Sequence, residues 1–166
     1  RIKPKFIDQI PRREVTMKIA VIGAGSTYTP ELIYGLLEWK DNPPQTIALH
    51  DIDPLRLKTN AQYCQALAGV MNPSVDIIEA DLDHALEDAD FLITQIRVGG
   101  NQQRSADEKF AMDLGWIGQE TTGAVGFMKA YRTIPVMTSI VNRAQQLCPE
   151  AFLINFTNPA GIVSTA

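Results

Sequence analysis

Lys18-Ile19-Ala20-Val21-Ile22-Gly23-Ala24-Gly25-Ser26 decides the reading of this chain, because a short apolar run passes directly into a glycine turn and then into a helical pattern. That order is the outline of a dinucleotide pocket. Gly23 suits the tight turn. Gly25 lets backbone approach a pyrophosphate with no Cβ in the way, and the phosphates then rest on the amides that open the next helix. Gly23, Gly25, Ser26 and Thr27 are therefore the candidate cofactor-binding residues of this turn. Tyr28 stands where a third glycine is usual, so the alternative is an ordinary strand-to-helix turn of an α/β protein.

A mononucleotide-binding half also needs a second strand that ends in an acid able to accept ribose hydroxyls. Gln45-Thr46-Ile47-Ala48-Leu49-His50-Asp51-Ile52-Asp53 supplies one. Asp53 precedes Pro54, the pattern of an N-cap followed by the first helical residue, which leaves Asp51 for the ribose. An acid there repels a 2′-phosphate, so the expected cofactor is NAD rather than NADP.

With 166 residues, 45% hydrophobic and 20% charged, the chain can bury the core of one ordinary domain. A net charge of -4 argues against a surface made for nucleic acid or anionic lipid. No segment reaches the roughly 18 apolar residues of a membrane span. Cys64 and Cys148 lack close spacing and read as reduced structural thiols, which points to a cytoplasmic protein. Residues 1–16 mix Lys, Arg and Pro without a secretory apolar core and read as an extension before Met17. Residues 17–166 show no linker and read as one domain.

From Met17 the pattern alternates. We expect strands at 17–22, 45–50, 75–79, 90–96 and 151–156, with helices at about 28–39, 54–70, from about 102, and 126–147. Such alternation predicts an α/β fold: a Rossmann-like, doubly wound parallel sheet with helices on both faces. Phe91-Leu92-Ile93-Thr94-Gln95-Ile96 is apolar enough for a central strand. A further helix starts near Gly161, just after the last strand, so a second half of a complete enzyme is expected beyond Ala166.

Ligands of open α/β sheets bind at the carboxyl edge, where three further segments are expected. Arg97-Val98-Gly99-Gly100-Asn101-Gln102-Gln103-Arg104 carries two cations among amides and glycines, the outline of an anion site. The alternative is that Arg97 and Arg104 are solvated or pair with Asp107, Glu108 or Asp113. Glu120, in a glycine-containing loop, suits a sugar hydroxyl or the neighbourhood of a metal; the alternative is helix capping beside Thr121 and Thr122. Lys129 and Arg132 are expected on a solvated helix face. Asn155 and Asn158 reach the same edge, and Asn158 before Pro159 is read as a substrate contact, with turn stabilisation as the alternative. His50 and His84 fit no ligand spacing and are taken as structural.

Four ordered motifs carry a family resemblance: Ile22-Gly23-Ala24-Gly25-Ser26-Thr27-Tyr28-Thr29-Pro30-Glu31-Leu32, Arg97-Val98-Gly99-Gly100, Ile117-Gly118-Gln119-Glu120-Thr121-Thr122-Gly123, and Asn155-Phe156-Thr157-Asn158-Pro159-Ala160-Gly161. From Met17 to Ala166 the chain resembles glycoside hydrolase family four, most of all its 6-phospho-β-glucosidases. This NAD-dependent family departs from two-carboxylate glycoside hydrolysis. The resemblance implies a 6-phosphorylated glycoside substrate, transient oxidation at C3, proton loss at C2, elimination of the aglycone from C1, water addition and return of hydride. It also implies a divalent metal, usually manganese, and a homo-oligomer when full length.

Carried over residue by residue, the resemblance gives Gly23, Gly25 and Ser26 the pyrophosphate and Asp51 the adenosine ribose. Arg104 and Asn158 become substrate contacts, and Arg97 a supporting residue. The family's metal-binding Cys and His and its tyrosine base lie beyond Ala166, so no catalytic or metal-binding residue is assigned here. Ala124-Val125 stands where many relatives have Pro-Gly. The alternatives are an NAD-dependent 2-hydroxy-acid dehydrogenase and a non-catalytic NAD-sensing module.

Overall fold

The structure, a computed structural model, describes residues 16–166; the expected extension lies outside the described residues except for Thr16. Strands β1 (Lys18–Ile22), β2 (Thr46–His50), β3 (Asp76–Glu79), β4 (Phe91–Thr94) and β5 (Phe152–Asn155) form one sheet in the order β3-β2-β1-β4-β5. Every pairing is parallel, with Ile19 opposite Ile47 on one side and opposite Phe91 on the other. Parallel neighbours require crossovers. These are supplied by α1 (Thr29–Leu37), α2 (Pro54–Met71), α3 (Leu82–Leu86), α4 (Gly100–Asp113) and α5 (Gly123–Leu147), and α6 (Ala160–Thr165) follows β5. The chain runs outward from β1 through β2 to β3 and then returns to β4 on the other side. The strand order thus reverses between β1 and β4, which opens a crevice at their carboxyl ends.

Alternation along each strand divides the core in two. Ile19, Val21, Ile47, Leu49 and Ile77 face α1 and α2, meeting Ile33, Leu37, Leu57 and Cys64. Ala20, Ile22, Ala48 and Leu92 face the other way, against Leu86 of α3, Met137 and Ile140 of α5, and Val163 of α6. Each large aliphatic side chain in these layers contributes about 2 kcal/mol by leaving water. The predicted Rossmann-like sheet with helices on both faces is therefore present. β4 is interior, with Leu92, Ile93 and Thr94 buried, whereas β5 exposes Phe152, Leu153 and Ile154.

Helix punctuation follows the chemistry of the residues. The Asp53 carboxylate accepts from the amides of Leu55 and Arg56, both at 3.1 Å, with Pro54 in the first turn as expected. Helix α3 was not expected: five residues are too few to show a period. It is built from a cap at each end. Asp81 accepts from the His84 amide at 2.9 Å, and Lys18 Nζ donates to the carbonyls of His84 and Glu87 at 2.8 and 2.6 Å.

Several boundaries also shift. β4 stops at Thr94, short of the expected residue 96, because the Ile96 amide donates to the Thr157 hydroxyl instead of the ladder. α4 starts at Gly100, after Gly99 at φ +84, and α5 starts at Gly123 rather than 126.

Candidate functional site

The glycine turn sits at the switch point, closed by short contacts. The amides of Gly23 and Ala24 both donate to the His50 carbonyl at 2.9 Å, which locks the end of β1 to the end of β2. Gly23 has φ +93, and a Cβ there would lie 2.8 Å from the Gln95 carbonyl oxygen, so no other residue fits. A Cβ on Gly25 would lie 2.8 Å from the Asp51 carboxylate. The close approach at Gly25 is thus made by Asp51 itself. Asp51 Oδ2 accepts from the Gly25 amide at 2.7 Å and Oδ1 from the Asp53 amide at 2.8 Å. The four turn candidates and Asp51 therefore lie together.

Two amide side chains that the sequence reading passed over hold the other side of this turn. Asn60 Nδ2 donates to the carbonyls of Ala24 at 2.6 Å and Ser26 at 2.8 Å. Gln95 Nε2 donates to Thr29 Oγ1 at 2.7 Å and to the Gly23 carbonyl at 3.3 Å. A signal for Asn60 was present in the sequence: it adjoins the buried stripe of Leu57, Ala61, Cys64 and Ala68 on α2, where an amide needs partners.

Beyond β4 lies a cluster of charges. Glu120 Oε2 accepts from Arg97 Nη1 at 2.8 Å and from Lys129 Nζ at 2.9 Å, with Arg104 Nε at 3.5 Å. Arg104 Nε donates to Glu108 at 2.7 Å, and Asp107 pairs with Arg132. Burial pushes the Glu120 carboxyl up, but hydrogen bonds and charge from Lys129 and Arg97 outweigh it and hold the carboxyl at about 2. Four cations thus meet three carboxylates, leaving one positive charge in excess. Arg104 uses only Nε, so both its terminal nitrogens are without an acceptor among the described residues.

This cluster corrects the sequence reading at several residues. Lys129 and Arg132 do not lie on a solvated face: Lys129 is 5% exposed and ion-paired, and Arg132 is partly buried against Asp107. The reason is the α5 stripe itself, where Lys129 stands in line with Val125, Thr133 and Met137. Arg104 does pair with Glu108, as the bland alternative held, while Arg97 finds Glu120. Glu120 caps nothing. Helix α5 has no side-chain cap at Thr122; Gln119 Oε1 instead closes the turn before it, accepting from the amides of Thr121 at 2.6 Å and Thr122 at 2.8 Å.

The two asparagines after β5 separate. Asn155 is structural, since its Oδ1 accepts from Thr94 Oγ1 and the Thr157 amide and its Nδ2 donates to Ser164. Asn158 is exposed, and its side chain has no hydrogen-bond partner among the described residues. His50 contacts the Ala80 carbonyl, His84 contacts Asp81, and both cysteines are free and buried. Among the described residues no group of three or more His, Cys, Asp or Glu side chains is placed to hold a metal, and no helix is long and apolar enough to cross a membrane.

A doubly wound sheet with a glycine turn against an acid at its switch point defines a Rossmann-like protein. The chain belongs to glycosyl hydrolase family 4, whose model matches residues 18–166. It is 46% identical over 154 residues to a probable 6-phospho-beta-glucosidase of Bacillus subtilis, covering 90% of this chain and 35% of that one. A 6-phospho-alpha-glucosidase structure from gut microorganisms, in complex with NAD and Mn2+, superposes with TM-score 0.86 at 32% identity, over 90% of this chain and 35% of the other. The 6-phospho-beta glucosidase of Thermotoga maritima with manganese, NAD+ and glucose-6-phosphate gives 0.82 at 37% identity, over 87% and 35%. The chain thus spans about a third of the length of the relatives it matches.

Proposed function

We propose that this chain is the NAD-binding part of a 6-phospho-β-glucosidase. The observation that carries the reading is the Gly25 amide on Asp51 at 2.7 Å, at the switch point of a family 4 chain and beside a charge cluster with one cation in excess. NAD suits the residues present. A carboxylate has about four lone-pair sites, and Asp51 uses two on the amides of Gly25 and Asp53, so two remain for ribose hydroxyls. The same charge disfavours a 2′-phosphate. Bound NAD supplies a reversible hydride acceptor.

The remaining residues bind and orient. Arg104 offers its two terminal nitrogens as a fork for the sugar phosphate. Glu120, ionised at neutral pH, fixes Arg97 and Lys129 as a positive wall rather than donating a proton. Asn158 presents a free amide to a sugar hydroxyl. The manganese that accompanies NAD in the relatives' structures finds no ligand group among the described residues. The β over the α assignment is supported by the 46% and 40% identities to two 6-phospho-β-glucosidases, whereas the β-enzyme of Thermotoga maritima and an α-glucosidase of Lacticaseibacillus paracasei are each 37% identical. Two buried free thiols fit a reducing, cytoplasmic setting.

Calorimetric titration with NAD+ and NADP+ tests the cofactor, with NAD+ expected to bind at least about tenfold tighter. Heat from neither overturns the reading. For the reaction, a polypeptide of the relatives' full length is expected to cleave a chromogenic 6-phospho-β-glucoside with NAD in catalytic amount. NADH accumulating in step with product would favour the dehydrogenase alternative.

A further inference from the structure

Asn60 lies two helical turns into α2, well outside the glycine motif, yet its side-chain amide spends both of its protons on that motif. The two acceptors, the carbonyls of Ala24 and Ser26, belong to alternate peptide units of the turn. A trans peptide is planar and its C=O and N–H point in opposite directions. Fixing the Ala24 carbonyl toward α2 therefore aims the Gly25 amide the other way, where it meets Asp51 Oδ2 at 2.7 Å. Fixing the Ser26 carbonyl aims the Thr27 amide likewise. The Thr27 amide has no acceptor among the described residues.

We infer that Asn60 is a positioning residue for the coenzyme's diphosphate. By holding two carbonyls back against α2, it keeps their negative ends away from the phosphates and turns the Thr27 amide outward as a donor. The Asp53 cap fixes the start of the helix that carries Asn60, so the clamp is anchored at both ends. Without it, the Ala24 and Ser26 carbonyls lose a shared donor, and the turn is free to present oxygen rather than N–H to an anion. The Ser26 carbonyl also accepts from the Thr29 amide at 3.1 Å, and the Gly23 carbonyl from the Ser26 amide, so the turn keeps its shape while losing its aim.

This inference rests on the NAD reading, and the test separates the two. Asn60→Ala removes the donors, and Asn60→Asp keeps the size while replacing the donors by an acceptor. Each variant and the parent are titrated with NAD+, ADP and adenosine, the last by competition against NADH fluorescence, with thermal unfolding recorded alongside. Both variants are expected to lose about tenfold or more in affinity for NAD+ and ADP, and clearly less for adenosine, which lacks the diphosphate and meets the turn only through Asp51. Parent-like NAD+ affinity in the variants overturns the role of Asn60, and so does an equal loss for adenosine, which marks a merely structural residue. A parent that binds neither NAD+ nor ADP sinks the coenzyme reading itself, and the positioning role with it.

Discussion

The Glu120 carboxylate accepts from the Lys129 ammonium at 2.9 Å, and that lysine side chain is only 7% exposed. A cation so far from water depends on its partner. Glu120→Gln keeps the shape but strands Lys129, Arg97 and Arg104 together, with an expected cost of about 2–3 kcal/mol in urea unfolding. Lys129→Met removes the buried charge and leaves Glu120 with two arginines, so its cost should be smaller, about 1 kcal/mol. The reverse ranking would contradict the pairing.

The same carboxylate sets a pH dependence. Its folded value of about 2 lies below the ordinary glutamate value of 4.5. A group depressed on folding adds stability that is fully present above its unfolded value and is lost as pH falls through the folded one. The contribution, about 3 kcal/mol at most, should therefore decay between about pH 4.5 and pH 2. Urea midpoints taken across that window should fall more steeply for the parent than for Glu120→Gln. Parallel curves would show that Glu120 is not the group responsible.

Asn155 and Asn158, three residues apart, should behave oppositely. Asn155 bridges β4, the Thr157 amide and α6, so Asn155→Ala leaves polar groups without partners and is expected to cost about 1–3 kcal/mol. Asn158 is exposed and unpartnered, so Asn158→Ala should stay within about 0.5 kcal/mol of the parent in thermal unfolding. Any loss it causes should appear in affinity for a 6-phosphoglycoside in a polypeptide of the relatives' length.

These residues also show what the sequence made legible. The succession of strands, the helices other than α3, the glycine turn and Asp53 as cap all follow from local rules of period, capping and turn chemistry, and the structure contains them. What escaped was set by contacts between distant segments. Lys129 and Glu120 are nine residues apart across a loop, and Asp107 and Arg132 are twenty-five apart, so no local pattern announces either pair. Asn60 reaches back 36 residues to Ala24. A polar side chain in an apolar helical stripe was the available signal at Lys129, and a solvated face was the wrong inference from its charge.

The two glycines of the turn should respond differently to alanine. Gly23→Ala meets backbone at 2.8 Å with φ +93, where nothing nearby can yield, and is expected to cost about 2 kcal/mol or more. Gly25→Ala meets only the end of the Asp51 side chain, which can swing aside. Its stability should be nearly unchanged while NAD+ affinity falls, because the displaced carboxylate no longer faces the ribose. Calorimetry and thermal unfolding on both variants check the split.

Cys64 is fully buried among the apolar side chains between α2 and the sheet, and burial pushes its thiol up to about 11. Cys148 lies buried in the other core layer, its thiol also raised by burial. Thiolate, not thiol, attacks a disulfide reagent, so both groups should be inert in the folded protein at neutral pH. Labelling with an aromatic disulfide should therefore follow unfolding: two thiols released in denaturant, and none at native rates above that of global opening. Fast labelling of Cys64 in the absence of denaturant would mean that α2 separates from the sheet, and with it the Asn60 contact to the glycine turn.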